Sequence, residues 1–212
     1  MEIKNKVISF LGDSITEGVG ASSNEKGYPN LIGEKYGAKK VNNYGVAGTC
    51  IARQQDTSSP LYNKDFCVRS LNIDKESDII VVFGGTNDLG LGDAPFGQFS
   101  DRTPDTFYGA LHTLILNLIN EYPTAAKIIC TPLHRGTEVM PRPHGKVLLD
   151  YVNAIKEVAE YYSIPVCDLW RNSGLQPRVP IIQQLYCPDT IHPNDEGYKI
   201  LAERIADFIL KL

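Results

Sequence analysis

The sequence predicts an α/β fold: a five-stranded parallel sheet with helices on both faces. Short runs rich in Val, Ile, Leu and Phe alternate with longer segments of helical period, the pattern of strand-crossover-strand units. The short runs are read as mostly Val, Ile, Leu or Phe, as in strands buried on both faces. The irregular stretches gather behind the strands, so the chain turns back at one end of the sheet. A length of 212 residues suits one core, so residues 1–212 are read as a single domain with no repeat, linker or low-complexity tract.

Five runs qualify as strands, at 6–11, 40–44, 78–83, 127–131 and 164–168, each ended by Gly, Pro or a polar turn. Three segments carry helical stripes. In the first, Phe107, Ala110, Leu111, Leu114, Ile115, Leu118 and Ile119 recur at three- and four-residue steps. Thr103-Pro104 is read as its cap and first-turn proline, and Tyr122-Pro123 as its stop. The second runs through Leu148, Tyr151, Val152, Ile155, Ala159 and Tyr162 and closes before Pro165. The third runs from Tyr198 through Leu201, Ala202, Ile205, Phe208 and Ile209 to Leu212. Shorter helices are expected at 28–36 and 60–71. Irregular stretches at 12–26, 84–102 and 132–144 directly follow the first, third and fourth strands, and a further one covers 172–188. Open parallel sheets bind ligands at the carboxyl ends of their strands, so these loops are expected to frame a site.

Composition narrows the function. A net charge of -4 with scattered basic residues gives no basic face for a nucleic-acid backbone, so a small molecule is the expected partner. Cysteines at 50, 67, 130, 167 and 187 are odd in number and form no Cys-x-x-Cys, which argues for reduced thiols and against a disulfide framework or thiolate zinc site. The apolar run from Val7 to Leu11 is too short for a signal peptide, and no later run reaches membrane-spanning length. A cytoplasmic location is the resulting expectation.

Four short motifs could carry chemistry. Gly12-Asp13-Ser14 follows the first strand, where a serine would project into the loop-lined crevice, although the tripeptide also reads as an ordinary turn. Asp189-Thr190-Ile191-His192 precedes the last helix. A three-residue offset across a turn lets a carboxylate hold one imidazole nitrogen while the other faces outward, as a general base requires; the plain alternative is a turn with a capping Asp and a solvated His. Gly84-Gly85-Thr86-Asn87-Asp88 ends the third strand, the expected centre of the sheet, where an Asn amide could donate to an oxyanion. Asn43-Tyr44-Gly45-Val46-Ala47-Gly48 ends the second, where a glycine could offer a bare N–H. Each of these two also reads as a glycine turn. Together the four fall where a nucleophile, a base and two oxyanion donors would have to meet.

With these residues the chain resembles the GDSL or SGNH hydrolase superfamily. That pattern runs Gly-Asp-Ser, Asn-x-Gly-x-x-Gly, Gly-x-Asn-Asp and Asp-x-x-His, and all four blocks occur in order over nearly the whole chain. Ile15 replaces the leucine of the family's name. The resemblance implies a three-layer α/β/α sandwich, flavodoxin-like, with five parallel strands. It also implies an ester hydrolase in which Ser14 attacks, His192 accepts its proton and Asp189 orients the imidazole. The oxyanion would be held by the Ser14 N–H, the Gly45 N–H and the Asn87 side chain, with no metal or cofactor.

Arg53, His134 and Arg135 stand near loop-side strand ends and are candidate substrate contacts, with a solvated loop as the alternative. His112, on the helical stripe, is read as a helix-surface or half-buried histidine, and Cys187 as a small core hydrophobe. Gly18-Val19-Gly20 lacks the third glycine of a dinucleotide fingerprint. The expected substrate is a small acyl ester, acetyl-like, of a carbohydrate or other polar alcohol. The competing readings are a lysophospholipase or thioesterase acting on longer acyl chains, and a flavodoxin-like module that binds an anion without chemistry.

Overall fold

A computed structural model describes residues 1–141 and 145–212. Arg142, Pro143 and His144, inside the loop expected at 132–144, lie outside the described residues. The strands are β1 (Val7–Gly12), β2 (Lys40–Gly45), β3 (Ile79–Phe83), β4 (Ala126–Cys130) and β5 (Val166–Cys167), all parallel, in the order β2-β1-β3-β4-β5. This is the flavodoxin-like order, and β3 is central as expected. The helices are α1 (Ser14–Glu17), α2 (Tyr28–Tyr36), α3 (Phe66–Ser70), α4 (Thr86–Gly90), α5 (Phe107–Glu121), α6 (Leu148–Tyr161), α7 (Leu169–Asn172), α8 (Pro180–Tyr186) and α9 (Asp195–Lys211). Among the described residues no helix is long and apolar enough to cross a membrane.

Strand period places successive side chains on opposite faces and so divides the core in two. Ile8, Phe10, Ile79, Val81, Phe83 and Ile128 point to the layer of α2 and α9, where Tyr28, Ile32, Tyr198, Leu201 and Ile205 are fully buried. Leu11, Ile80, Val82 and Ile129 point to the layer of α3, α5 and α6. Truncating a ring as enclosed as that of Phe10 costs about 3–5 kcal/mol. Ser9, the polar residue within β1, is paid for by a 2.7 Å hydrogen bond between its hydroxyl and that of Ser77 and by the Asn42 amide, which donates to it.

Several elements differ from expectation. Only β1, β3 and β4 are interior strands. β2 is an edge strand with Lys40 and Asn43 exposed, and β5 is reduced to two residues on the other edge. The cap of α5 is Thr106, whose hydroxyl accepts the Gly109 N–H at 3.1 Å, and not Thr103. The helix expected at 60–71 is confined to Phe66–Ser70 behind the cap Asp65. Helix α9 begins at Asp195, three residues before its first apolar contact, and its cap is Asn194, so Asp189 is not a capping residue. The short helices α1, α4 and α8 lie in stretches expected to be irregular, because a helix of one or two turns carries no readable period.

Candidate active site

The chain leaves β1 for β2 on one side of it and later for β3 on the other, so the carboxyl end of β1 borders the crevice where this topology binds ligands. Gly12, the last residue of β1, is packed so tightly that a Cβ there would lie 1.8 Å from the Thr16 hydroxyl. Asp13 then caps α1 by accepting the Ile15 N–H at 3.0 Å, which sets Ser14 at the first position of that helix. Ser14 is almost wholly buried, with its hydroxyl 2.9 Å from His192 Nε2.

His192 is brought in by the turn before α9. Asp189 Oδ1 accepts the N–H groups of Ile191 (2.9 Å) and His192 (2.7 Å), and its other oxygen lies 2.6 Å from His192 Nδ1. This turn carries Thr190 in the left-handed region at φ +68°, unusual for a β-branched residue. The Gly136 N–H holds the Thr190 carbonyl at 3.0 Å, from the loop after β4. Burial raises the Asp189 pKa, but the hydrogen bonds from His192 N–H, the imidazole and Ile191 outweigh it, and the net shift is downward. An ionised carboxylate only accepts, so the single proton of a neutral imidazole sits on Nδ1. The lone pair on Nε2 is then free to accept from Ser14 O–H. The structure thus brings Ser14 to the Asp189–His192 pair, from which most of the chain separates it.

The loop after β2 departs from expectation. Gly45 N–H donates to Asn43 Oδ1 at 2.8 Å, and a Cβ on Gly45 would lie 2.1 Å from the Glu17 amide nitrogen, so this glycine faces α1 and not the crevice. Backbone accounting from 45 to 49 identifies the available donor. Val46 N–H goes to the Gly12 carbonyl, Ala47 N–H to Glu17, and Thr49 N–H to the Val46 carbonyl. Among the described residues, only the Gly48 N–H of this loop is without a partner. Gly48 sits at φ +76°, a conformation that favours glycine. Asn87, nearly buried in α4, donates through Nδ2 to the carbonyl of Thr49, the residue after Gly48, at 3.0 Å. That nitrogen has a second proton for another acceptor.

Asp88, next to it, is fully buried and accepts the N–H groups of Ile51 (3.0 Å) and Ala52 (2.9 Å), tying α4 to the chain beyond Gly48. Burial pushes the Asp88 carboxyl up to about 7 against these two hydrogen bonds, and pushes Asp13 up to about 6.

The other candidates have intramolecular partners. Arg135 is buried and donates from Nη1 to the Thr86 carbonyl (3.0 Å) and hydroxyl (3.1 Å). His134 lies over the Trp170 ring at 3.8 Å, with Nδ1 2.8 Å from Glu138. Arg53 pairs with Asp105 at 3.5 Å. His112 is fully buried, contrary to expectation, between the Tyr162 hydroxyl and the Phe99 carbonyl. All five cysteines are free and buried, and burial pushes the Cys187 thiol up to about 12, away from nucleophilic use at neutral pH. Among the described residues no group of three His, Cys, Asp or Glu could hold a metal ion.

The chain is similar to several known proteins. An acetylxylan esterase of Xylanibacter ruminicola is 26% identical over an aligned length of 218 positions that takes in 94% of this chain but 42% of that protein. This chain therefore spans under half the length of that curated relative. A solved structure 31% identical superimposes with a TM-score of 0.90, covering 100% of this chain and 99% of the other. A protein from Lactobacillus plantarum, 29% identical, does so with a TM-score of 0.87 and 99% of both chains covered. The profile of the GDSL-like lipase/acylhydrolase family matches residues 10–200, a span that takes in the Ser14 turn, the Gly48 loop, Asn87 and the Asp189–His192 turn, and the chain belongs to that family.

Proposed function

We propose that this member of the acylhydrolase family is a serine esterase that hydrolyses a carboxylic ester through Ser14, His192 and Asp189. The observation that carries the reading is the continuous path from Ser14 Oγ to His192 Nε2 (2.9 Å) and from Nδ1 to Asp189 (2.6 Å). Ser14 Oγ attacks the ester carbonyl as its proton passes to Nε2. The charge on the carbonyl oxygen is met by Ser14 N–H, Gly48 N–H and Asn87 Nδ2. Collapse breaks the bond to the alcohol, which leaves with the proton from Nε2. Water then gives a proton to the same nitrogen and attacks the acyl-enzyme; the acid departs and the proton returns to Ser14 Oγ.

For the substrate, we favour a small acyl group, acetyl-like, on a carbohydrate or other polar alcohol. The relative named an acetylxylan esterase supports this. Longer acyl chains are the second reading, supported by Leu61 and Leu91, whose methyl carbons stand 2.9 and 4.0 Å from the point a Cβ on Gly48 would occupy. The test is hydrolysis of an acylated-metabolite panel and of p-nitrophenyl esters of increasing length, with Ser14→Ala as blank. Activity that peaks at acetyl and vanishes in the variant is expected. A peak at C8 or longer favours the second reading, and undiminished rates in Ser14→Ala remove the mechanism. A fluorophosphonate probe should label Ser14; a module that merely binds an anion would stay unlabelled.

A further inference from the structure

Arg69, on α3, was indistinguishable in the sequence from the scattered surface cations. In the fold its guanidinium lies beneath the ends of β1 and β2. Nη1 donates to the Tyr44 carbonyl at 2.7 Å. Nη2 donates to the Gly12 carbonyl at 3.0 Å and to the Thr49 hydroxyl at 2.8 Å, and Nε donates to the Lys64 carbonyl at 2.9 Å. Its cationic carbon stands 4.7 Å from the centre of the Phe66 ring, and that ring in turn fills the space a Cβ on Gly84 would occupy.

Three of these four acceptors belong to a segment that carries a candidate oxyanion donor, and the fourth, Lys64, anchors the arginine to the chain before α3. Gly12 is two residues before Ser14. Tyr44 begins the turn that leads to Gly48. Thr49 follows Gly48, and its carbonyl accepts the Asn87 amide. Side-chain donors that converge on backbone carbonyls fix the peptide planes to which those carbonyls belong. A planar fork with five N–H groups can fix several at once, as an ammonium cannot. We propose that Arg69 is a positioning residue for the oxyanion hole, aligning the Ser14 and Gly48 donors through the Gly12 and Tyr44 carbonyls and the Asn87 donor through Thr49, and so raising kcat without touching substrate. The proposal rests on the esterase reading above.

Support comes from charge. Burial draws the Arg69 pKa down to about 10, which leaves it cationic at neutral pH, and the charge of the fully buried Asp13 beside Ser14 is the largest opposing influence. The arginine therefore also offsets a buried carboxylate at the nucleophile's own turn.

The test uses the full chain and p-nitrophenyl acetate, with an alkylboronic acid as a probe that forms a tetrahedral adduct on Ser14. In Arg69→Met, kcat should fall roughly 10- to 100-fold, less than the roughly 10²–10³ expected for outright loss of one donor, with KM within about threefold. Boronate affinity should fall in the same proportion, and Arg69→Lys should recover part of both. If Arg69→Met is folded and only its Tm is lower, with kcat and boronate affinity unchanged, the arginine is a structural brace and the proposal is overturned. Should Arg69→Met fail to fold, Thr49→Val removes one acceptor of the fork. A parallel loss of kcat and boronate affinity in that variant supports the proposal, and no loss overturns it. A wild-type protein without esterase activity would instead refute the functional reading.

Discussion

Asp189→Asn isolates the role of the carboxylate because the turn dictates how the new amide must sit. Oδ1 of Asp189 accepts two backbone N–H groups, from Ile191 and His192, while Oδ2 faces His192 Nδ1. With the amide oxygen in the place of Oδ1 both backbone bonds survive, and the NH₂ group is turned toward Nδ1. The opposite orientation sets NH₂ against two N–H donors, and each unmade bond costs about 1–3 kcal/mol, so the first orientation wins. An NH₂ group facing Nδ1 requires a lone pair there, which moves the imidazole proton to Nε2. His192 would then donate to Ser14 and could not take its proton. The same change in a serine protease lowers kcat about 10⁴-fold by this tautomer effect. The Asp189 side chain is 54% exposed, so the electrostatic part is screened by water, but the tautomer part is geometric and survives. The expected fall in kcat for p-nitrophenyl acetate is therefore about 10³–10⁴, with KM little altered and Ile191 and His192 N–H still protected. Nitrogen NMR of the imidazole should show the proton on Nε2. A variant that keeps a tenth or more of wild-type kcat, or that keeps the proton on Nδ1, would refute the reasoning.

Asn87→Ala removes one side-chain donor and should lower kcat by about 10²–10³ at near-constant KM; an unchanged kcat would show that Asn87 serves only to hold Thr49. Asp13 is fully buried with its pKa raised to about 6, above the ordinary 3.8, so the folded state binds a proton more tightly than the unfolded chain. Its contribution to stability is complete below about pH 4 and is lost as pH rises through 6, up to about 3 kcal/mol in all. Asp13→Asn keeps the acceptor for Ile15 N–H and should remove that part of the decline between about pH 4 and 6 in urea unfolding; identical slopes in the two proteins would contradict the assignment. Gly45→Ala sets a methyl 2.1 Å from the Glu17 backbone and must displace α1, so it should lower Tm sharply and reduce soluble yield. A well-folded, fully active Gly45→Ala would show that the approach of β2 to α1 is looser than described.

Much of this was legible because it is local. The interior strand β3 announces itself as an unbroken apolar run, β1 and β4 as apolar runs interrupted only by Ser9 and Lys127, and α5, α6 and α9 as stripes at three- and four-residue steps. The edge strand β2 was harder: Val41 and Tyr44 look like core residues in sequence, and only the strand order shows that no neighbour lies beyond them. The cap of α5 was misplaced from Thr106 to Thr103 because both threonines precede the stripe and only the backbone geometry distinguishes them. Arg135 and His134 sat where substrate contacts are often found, yet Thr86, Glu138 and Trp170 engage them.

The sequence by itself determined the chemical groups and their order: a serine after the first strand, an Asn after the third, and a carboxylate three residues before a histidine. Residue type and strand-end position are written in the covalent chain. Which glycine offers a free N–H, and which of many arginines braces the donors, was decided by tertiary structure alone. An unpaired donor is what remains after every competing acceptor has been taken, and the acceptors that occupy the Gly45, Val46 and Ala47 N–H groups come from Asn43, Gly12 and Glu17. Only the packing of β1, α1 and the β2 loop against one another leaves Gly48 over.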